Sequence, residues 1–389
     1  MNHYHFLLLL LVISICINNS TSTTTTSSCP CSDESLCAPL NIVLPRQEFL
    51  GYSLYNDSFE SYDWDVVTTI AIFYTPVPPE LLCLAHSKGV RLVYGAEYPI
   101  SQLGNQTHQD QWIQDQLQLV QSTYFDGLNF DIESPIWSNQ STTSALLTGL
   151  VAQTNFVFKN SFPFYQISVD VAWSPNCIDG RCYDYYGLAQ ASDYLAVMSY
   201  DMRSQVFNTE ECTASANSPY MLVLEGLLNY TALGIPSDKL VLGLPWYGYI
   251  YPCINENPSL ESLVCNITRV PFRGATCSDA AGSEYEYSYL MDLLSNSSLQ
   301  TTGELWDDQL GSPFFNFIDP SDSNLYQVWY DNPESLSIKV AIASKLNLRG
   351  LAVWNVDFLD LQNQPTQTNM MWQVMANFFT HHTSSNSDL

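Results

Sequence analysis

Positive charge is what this sequence has least of. Twelve Lys and Arg stand against 39 Asp and Glu, a formal net charge of −27, with six His beside them. A surface of that sign repels phosphate backbones and anionic headgroups, so nucleic acid is excluded as a partner and a neutral or cationic ligand is favoured. Long apolar runs are equally scarce. The one that stands out, Phe6–Ile17, is about 12 residues long, too short to span a bilayer and suited to the core of a signal peptide. Only His3 and His5 precede it, without the usual Lys or Arg, and a Ser/Thr-rich stretch from Asn19 to Ser28 follows. Residues 1–28 therefore read as a leader removed before Cys29, with no membrane anchor predicted in the rest. Repeats, heptads and a charged tail are also missing. So is a glycine-rich phosphate loop after the first strand, which argues against a doubly wound nucleotide-binding sheet.

Of the 11 cysteines, Cys16 goes with the leader, leaving Cys29, Cys31, Cys37, Cys83, Cys177, Cys182, Cys212, Cys253, Cys265 and Cys277. An even number fits disulfides formed in an oxidising compartment, though sequence leaves their pairing open. A zinc site at Cys29-Pro-Cys31 and Cys37 is the alternative, disfavoured by the CxC spacing and the lack of a nearby histidine. Sequons at Asn56, Asn105, Asn139, Asn229, Asn266 and Asn296 agree with export and glycosylation.

With 389 residues, 46% of them hydrophobic, the chain can bury a large core. Short β-rich apolar runs alternate with longer helical ones, the pattern of a parallel sheet with helical crossovers. Strands are predicted at Glu48–Tyr52, Thr68–Phe73, Arg91–Tyr94, Gly127–Ile132, Gln166–Val171, Tyr194–Met198, Leu240–Leu244 and Gly350–Val353. Helices are predicted at Asp110–Tyr124, Ser144–Lys159, Met221–Leu233, Ser335–Leu346 and Thr366–Phe379. This is an α/β pattern, and it fits a (β/α)8 TIM barrel forming one catalytic domain over 29–389. Residues 250–327, between the seventh and eighth strands, are rich in Cys, Pro, Ser and aromatics and too long for a crossover. They predict a small insertion subdomain over the barrel mouth, stapled in part by Cys253, Cys265 and Cys277.

The chemistry concentrates in Asp126-Gly-Leu-Asn129-Phe-Asp131-Ile-Glu133. Leu128, Phe130 and Ile132 alternate with Asn129, Asp131 and Glu133, so the polar trio shares one strand face and the apolar trio the other. A barrel interior is normally filled by branched apolar residues, and a polar trio there needs a reason. Bracing by a satisfied polar network is the plain alternative. The trio ends at the C-terminal mouth, where barrel enzymes place their sites, and sets two carboxyls roughly 6.6 Å apart along the strand. Like charges that near raise one pKa, which would help Glu133 keep a proton as general acid. Asp126 falls out of phase and reads as a bracing or turn residue.

This strand resembles the DGxDxDxE motif of family 18 glycoside hydrolases. Further segments carry the resemblance: Val171-Ala-Trp173-Ser-Pro, Val197-Met-Ser-Tyr200-Asp201, Leu244-Pro-Trp246-Tyr-Gly-Tyr249, Val270-Pro-Phe-Arg273-Gly, Cys277-Ser-Asp-Ala-Ala-Gly282 and Val328-Trp-Tyr-Asp-Asn-Pro333. It runs from about Cys29 to the last predicted helix. It implies that Glu133 protonates the glycosidic oxygen, that Asp131 accepts the acetamido N–H of the bound sugar, and that Tyr200, paired with Asp201, holds the acetamido oxygen. Trp354 would be the aromatic floor. The acetamide itself would be the nucleophile, with overall retention, as this family is an exception to the two-carboxylate rule.

Position 129 is Asn where most of the family has Asp, and its amide is expected to donate to Asp131. Trp173 is expected to stack on sugar; Trp246, Tyr247 and Tyr249 are weaker candidates of the same kind. Arg273 is expected to reach a substrate hydroxyl or form a salt bridge, and Tyr94 and Glu97 to line the mouth.

The resemblance implies an N-acetylglucosamine oligosaccharide as substrate, no metal or organic cofactor, action as a monomer, and a lysosomal or secreted location. Its implied reaction is hydrolysis of the β1,4 bond of N,N′-diacetylchitobiose from Asn-linked glycan cores, at the reducing end. A chitinase or endo-β-N-acetylglucosaminidase cutting internal bonds is the enzymatic alternative. A non-catalytic lectin on the same barrel is the other, and such proteins usually replace the acid glutamate that is present here.

Overall fold

The computed structural model describes residues 29–42, 47–205, 211–255 and 259–384; the leader with Cys16 lies outside them. Seven parallel strands come first: β1 Glu48–Ser53, β2 Thr69–Ile72, β3 Arg91–Ala96, β4 Gly127–Phe130, β5 Gln166–Ala172, β6 Tyr194–Met198 and β7 Leu240–Pro245. After an antiparallel excursion of β8 Tyr247–Pro252, β9 Ser283–Glu286, β10 Gln300–Thr301, β11 Leu305–Asp307, β12 Ser312–Ile318 and β13 Leu325–Trp329, β14 Gly350–Trp354 returns beside β7. The order β1-β14-β7-β6-β5-β4-β3-β2 closes through the β1–β2 pair into the eight-stranded barrel that the spacing predicts.

Alternation decides what faces where. Leu50, Tyr52, Ala71, Val93, Tyr194, Ala196, Val241 and Ala352 fill the barrel interior. Their neighbours Phe49, Ile70, Leu92, Leu128, Ile167, Leu195, Leu242 and Leu351 are fully buried in the shell between sheet and helices. Gly127 opens β4 at φ 146°, and a Cβ there would lie 1.9 Å from the Gln166 carbonyl oxygen of β5. Only glycine lets these two strands pair at that point.

The crossover helices are α1 Pro79–Ser87, α2 Gln106–Thr123, α3 Ser141–Ser161, α4 Tyr185–Ala191, α5 Tyr220–Ala232, then α6 Tyr287–Ser295 within the excursion, α7 Pro333–Lys345 and α8 Pro365–Ser384. Three of these were not expected: α1, α4 and α6, of nine, seven and nine residues, are too short to show a helical period. α2 starts before the predicted Asp110 because the Asn105 side chain caps it, accepting from His108 N at 3.2 Å.

The excursion forms its own antiparallel sheet, ordered β10-β12-β13-β8-β9 with β11 on β12, from Tyr247 to Trp329 rather than 250–327. Cys253–Cys265 closes a loop inside it, and Cys212–Cys277 ties it to the segment after β6. Cys29–Cys37, Cys31–Cys83 and Cys177–Cys182 complete the pairing. Cys29, Cys31 and Cys37 do cluster, but each is disulfide-bonded and holds no thiolate for a metal.

Candidate active site

β4 ends at Phe130, yet the chain stays alongside β3 for one more step, Asp131 N donating to the Ala96 carbonyl at 3.0 Å. The alternation set in the strand therefore continues through Asp131 and Glu133, stepping from the barrel interior to its rim. Asn129 is fully buried, whereas the Glu133 side chain is half exposed. Asp131 lies between them, and its Oδ1 is buried without a hydrogen-bond partner among the described residues.

Asn129 does not donate to Asp131 as expected. Its Nδ2 donates to Asp170 Oδ1 and to Ser168 Oγ, each at 3.0 Å. Tyr52 OH on β1 donates to the same Asp170 oxygen at 2.5 Å. The amide turns to β5 because a second buried carboxylate is there to accept from it. Asp170 was missed, although Ser168 and Asp170 alternate with Ile167, Val169 and Val171 in the same way that marked β4.

Electrostatics set the carboxylates apart. Burial first, then the charge of Glu133, pushes Asp131 up to about 7, while Arg181 pulls the other way. Burial, then Asp131, holds Asp170 well above its ordinary value against the hydrogen bonds from Tyr52 and Asn129. Glu133 Oε2 meets Arg181 Nη1 at 2.7 Å. Arg181 and Asp179 sit in the loop closed by Cys177–Cys182, and the residue after it ties that loop to the acid: Tyr183 OH lies 2.6 Å from the Ser134 carbonyl, to which it donates, and 2.9 Å from the Ile132 carbonyl. Arg273 from the insertion donates to the Glu133 carbonyl at 3.0 Å and to Asp179 at 2.5 Å, so the salt bridge is the contact present.

Tyr200 follows β6 in phase with Ala196 and Met198 and is buried, which pushes its phenol well above the ordinary range and keeps it a donor. Asp201 bends at φ 56° and accepts from Tyr247 OH at 2.5 Å and Tyr249 OH at 2.8 Å. Burial raises its pKa. Trp354, half-buried at the end of β14, is tilted on Tyr52 at 5.3 Å and edge-on to Phe73 at 5.9 Å, forming an aromatic floor at the top of the barrel interior.

Trp173 is out of phase with Ser168 and Asp170 and 7% exposed, with its backbone and ring edge against Gly226 of α5. Trp246 is fully buried edge-on to Trp372, and Tyr94 stacks on Phe125 in the outer core. Asp126 braces the barrel, accepting from Leu40 N, Leu92 N and His86. Two hollows open at the mouth. One, of about 350 Å³, is lined by Tyr200, Asp201, Tyr249 and Arg181; the other, of about 500 Å³, is lined by Glu97, Tyr98 and Asp131. Both include Glu133 and Arg273.

The arrangement offers an exposed carboxyl, an unpartnered buried acceptor beneath it, a phenol donor and an aromatic floor, which together suit a neutral, amide-bearing sugar. The sequence profile of the glycosyl hydrolases family 18 matches residues 95–358. A probable di-N-acetylchitobiase 2 of Dictyostelium discoideum is 55% identical over 363 residues, 93% of either chain. The di-N-acetylchitobiase of Homo sapiens is 41% identical over 350 residues, 89% of this chain and 88% of that one. Among solved structures, a family 18 chitinase from Cycas revoluta in complex with (GlcNAc)3 superposes at TM-score 0.65 with 17% identity, covering 85% of this chain and 99% of that one. At that identity the likeness shows the fold.

Proposed function

The chain belongs to the glycosyl hydrolases of family 18 and is a glycosidase, and on that footing we propose that it hydrolyses the β1,4 bond of N,N′-diacetylchitobiose derived from Asn-linked glycans, expelling the reducing-end sugar. The observation that carries this reading is the vertical pair at the barrel mouth. Glu133 is solvent-accessible, and Asp131 beneath it is held up to about 7 with one buried oxygen unpartnered among the described residues. An acetamido N–H satisfies that oxygen, and the bond to be cut then lies beside Glu133.

The reaction follows from these positions. The acetamido oxygen attacks the anomeric carbon while Glu133 gives its proton to the departing glycosidic oxygen, and the retained sugar becomes an oxazolinium ion. Asp131 accepts the N–H and orients the acetamide, and Tyr200 holds the acetamide oxygen. Asn129 fixes Asp170 below, Asp201 with its two tyrosines shapes the wall, and Trp354 supports the ring. Glu133 then takes a proton from the water that opens the ring, restoring the original anomeric configuration.

Residues 1–28 are proposed as the removed leader, 29–389 as the catalytic domain and 247–329 as its insertion, in a lysosomal enzyme that acts as a monomer. Its disulfides, sequons and acidic surface support that destination. No helix among the described residues is long and apolar enough to cross a membrane.

The test is a chitobiose analogue lacking the N-acetyl group on its non-reducing sugar, run beside Glu133→Gln. The analogue should not be cleaved, and the variant should bind chitobiose yet lose roughly 10²–10⁴-fold in turnover. Efficient cleavage of the analogue would sink the substrate-assisted reading.

A further inference from the structure

The two hollows at the mouth share two wall residues, Glu133 and Arg273. A linear oligosaccharide lying across the mouth would have to pass from one hollow to the other beside the acid. Arg273 stands in that path. It comes from the insertion, at the tip of a two-residue turn in which Phe272 and Ala275 exchange backbone hydrogen bonds of 3.0 and 2.9 Å. Arg273 at φ 41° and Gly274 at φ 99° give the turn the tight left-handed form that glycine supports. Cys277, just beyond it, is bonded to Cys212 across the insertion boundary.

The tip is pinned as firmly as the base. Arg273 Nη1 bridges the Glu133 carbonyl and the Asp179 carboxylate, and its guanidinium lies 5.2 Å from the Phe272 ring centre. Asp179 is itself 4% exposed, inside the small disulfide loop that also presents Arg181. The strut therefore joins the insertion to the loop after β5 over the backbone of the acid, and it is complete without substrate.

We propose that the Phe272–Ala275 turn, strutted by Arg273 to Asp179 and to the Glu133 carbonyl, is the stop on the leaving-group side that limits the expelled fragment to a single sugar. This rests on Glu133 being the acid. The retained sugar is held over the barrel axis by Asp131 and Tyr200, so the departing sugar lies beyond Glu133, on the side where Arg273 is bonded. On this proposal the strut leaves room for one leaving sugar and stands in the way of a longer reducing-end extension. Arg273 and Asp179 are thus specificity-determining residues rather than catalytic ones.

The experiment is product analysis on chitotetraose labelled at its reducing end, with the full chain, Arg273→Ala and Asp179→Asn. Wild type should release label as monosaccharide, and either variant should raise the fraction of labelled disaccharide on the order of tenfold. The same pair in the Glu133→Gln background, where no turnover is needed, should gain about tenfold in affinity when the ligand is extended at the reducing end, equivalent to ~1.4 kcal/mol of new contact. An Arg273 that is only structural would lower the melting temperature and leave all label in monosaccharide, and the affinity for extended ligands unchanged; that result overturns the stop. Labelled disaccharide as the main product of wild type would instead overturn the reducing-end reading itself.

Discussion

Asn129 and Asp170 face each other across the β4–β5 pair, the amide of one 3.0 Å from the carboxylate of the other. The buried carboxyl next to the catalytic strand therefore stands on β5, while β4 supplies a donor that holds it. Replacing Asn129 with Asp would remove that donor and set two carboxylates within about 3 Å, where both cannot ionise cheaply. Asn129→Asp should move the acidic limb of the pH–rate profile toward neutrality, on the order of one unit, without abolishing activity. The measurement is kcat/KM for chitobiose from acid to neutral pH, with folding checked at each point. An unmoved limb would mean that residue 129 is not electrically coupled to the site.

Asp131 is a group whose folded pKa, about 7, exceeds the roughly 3.9 of an unfolded chain. The folded state then binds more protons than the unfolded one between those values, so this residue lowers stability as pH rises from about 4 to 7. Asp131→Asn should accordingly be inactive yet more stable than wild type at pH 7, by on the order of 2–4 kcal/mol relative to the same comparison at pH 4. Denaturant unfolding of both proteins at the two pH values decides it. A gain that is equal at both, or absent, would show that the carboxyl is not held protonated by burial and Glu133.

The barrel and the catalytic strand were legible because period-two alternation is local: eight apolar runs, and one that puts Asn129, Asp131 and Glu133 on a single face. Applied to β5, the same rule points to Asp170 and away from Trp173. The β4–β5 hydrogen bonds could not be read, since they depend on which side chain lies opposite which. Least legible was the Arg273 contact with Glu133, which joins residues 140 positions apart. It requires an insertion to fold back and an irregular disulfide loop to meet it, and neither carries a periodic signal.

Trp354 and Trp173, both expected to touch sugar, sit on different sides of the barrel wall. Trp354 packs on Tyr52 and Phe73 at the top of the interior, whereas Trp173 is wedged against Gly226 on the outer shell. Trp354→Ala should raise KM for chitobiose by about tenfold or more, the loss of an aromatic contact of ~1–2 kcal/mol. Trp173→Phe should leave KM unchanged and cost about 1–3 kcal/mol of stability through the space it opens. Steady-state kinetics beside thermal melts distinguish the two. A KM effect from Trp173→Phe in a folded protein would restore it to the site.

At the other end of the barrel, His86 gives the fold a pH dependence of the opposite kind to an ordinary carboxylate. Its Nε2 lies 3.0 Å from Asp126 and its Nδ1 2.7 Å from the Leu36 carbonyl, so the protonated ring donates in both directions. Burial opposes the charge, but the hydrogen bond and charge of Asp126 and the Leu36 carbonyl outweigh it, and the pKa is raised. A raised folded pKa means that the stabilisation is fully present below the unfolded value of about 6.5 and is lost as pH climbs through the folded one. Asp126 also accepts from Leu40 N and Leu92 N, so the pair joins the N-terminal segment to β3 and β4. His86→Ala should therefore destabilise the protein by about 3 kcal/mol at pH 5, as expected for a broken buried pair, and by clearly less at pH 8. Melting temperatures of wild type and variant at both pH values, with the disulfides intact, make the comparison. An equal loss at the two pH values would show that His86 is held neutral and that its role is packing alone.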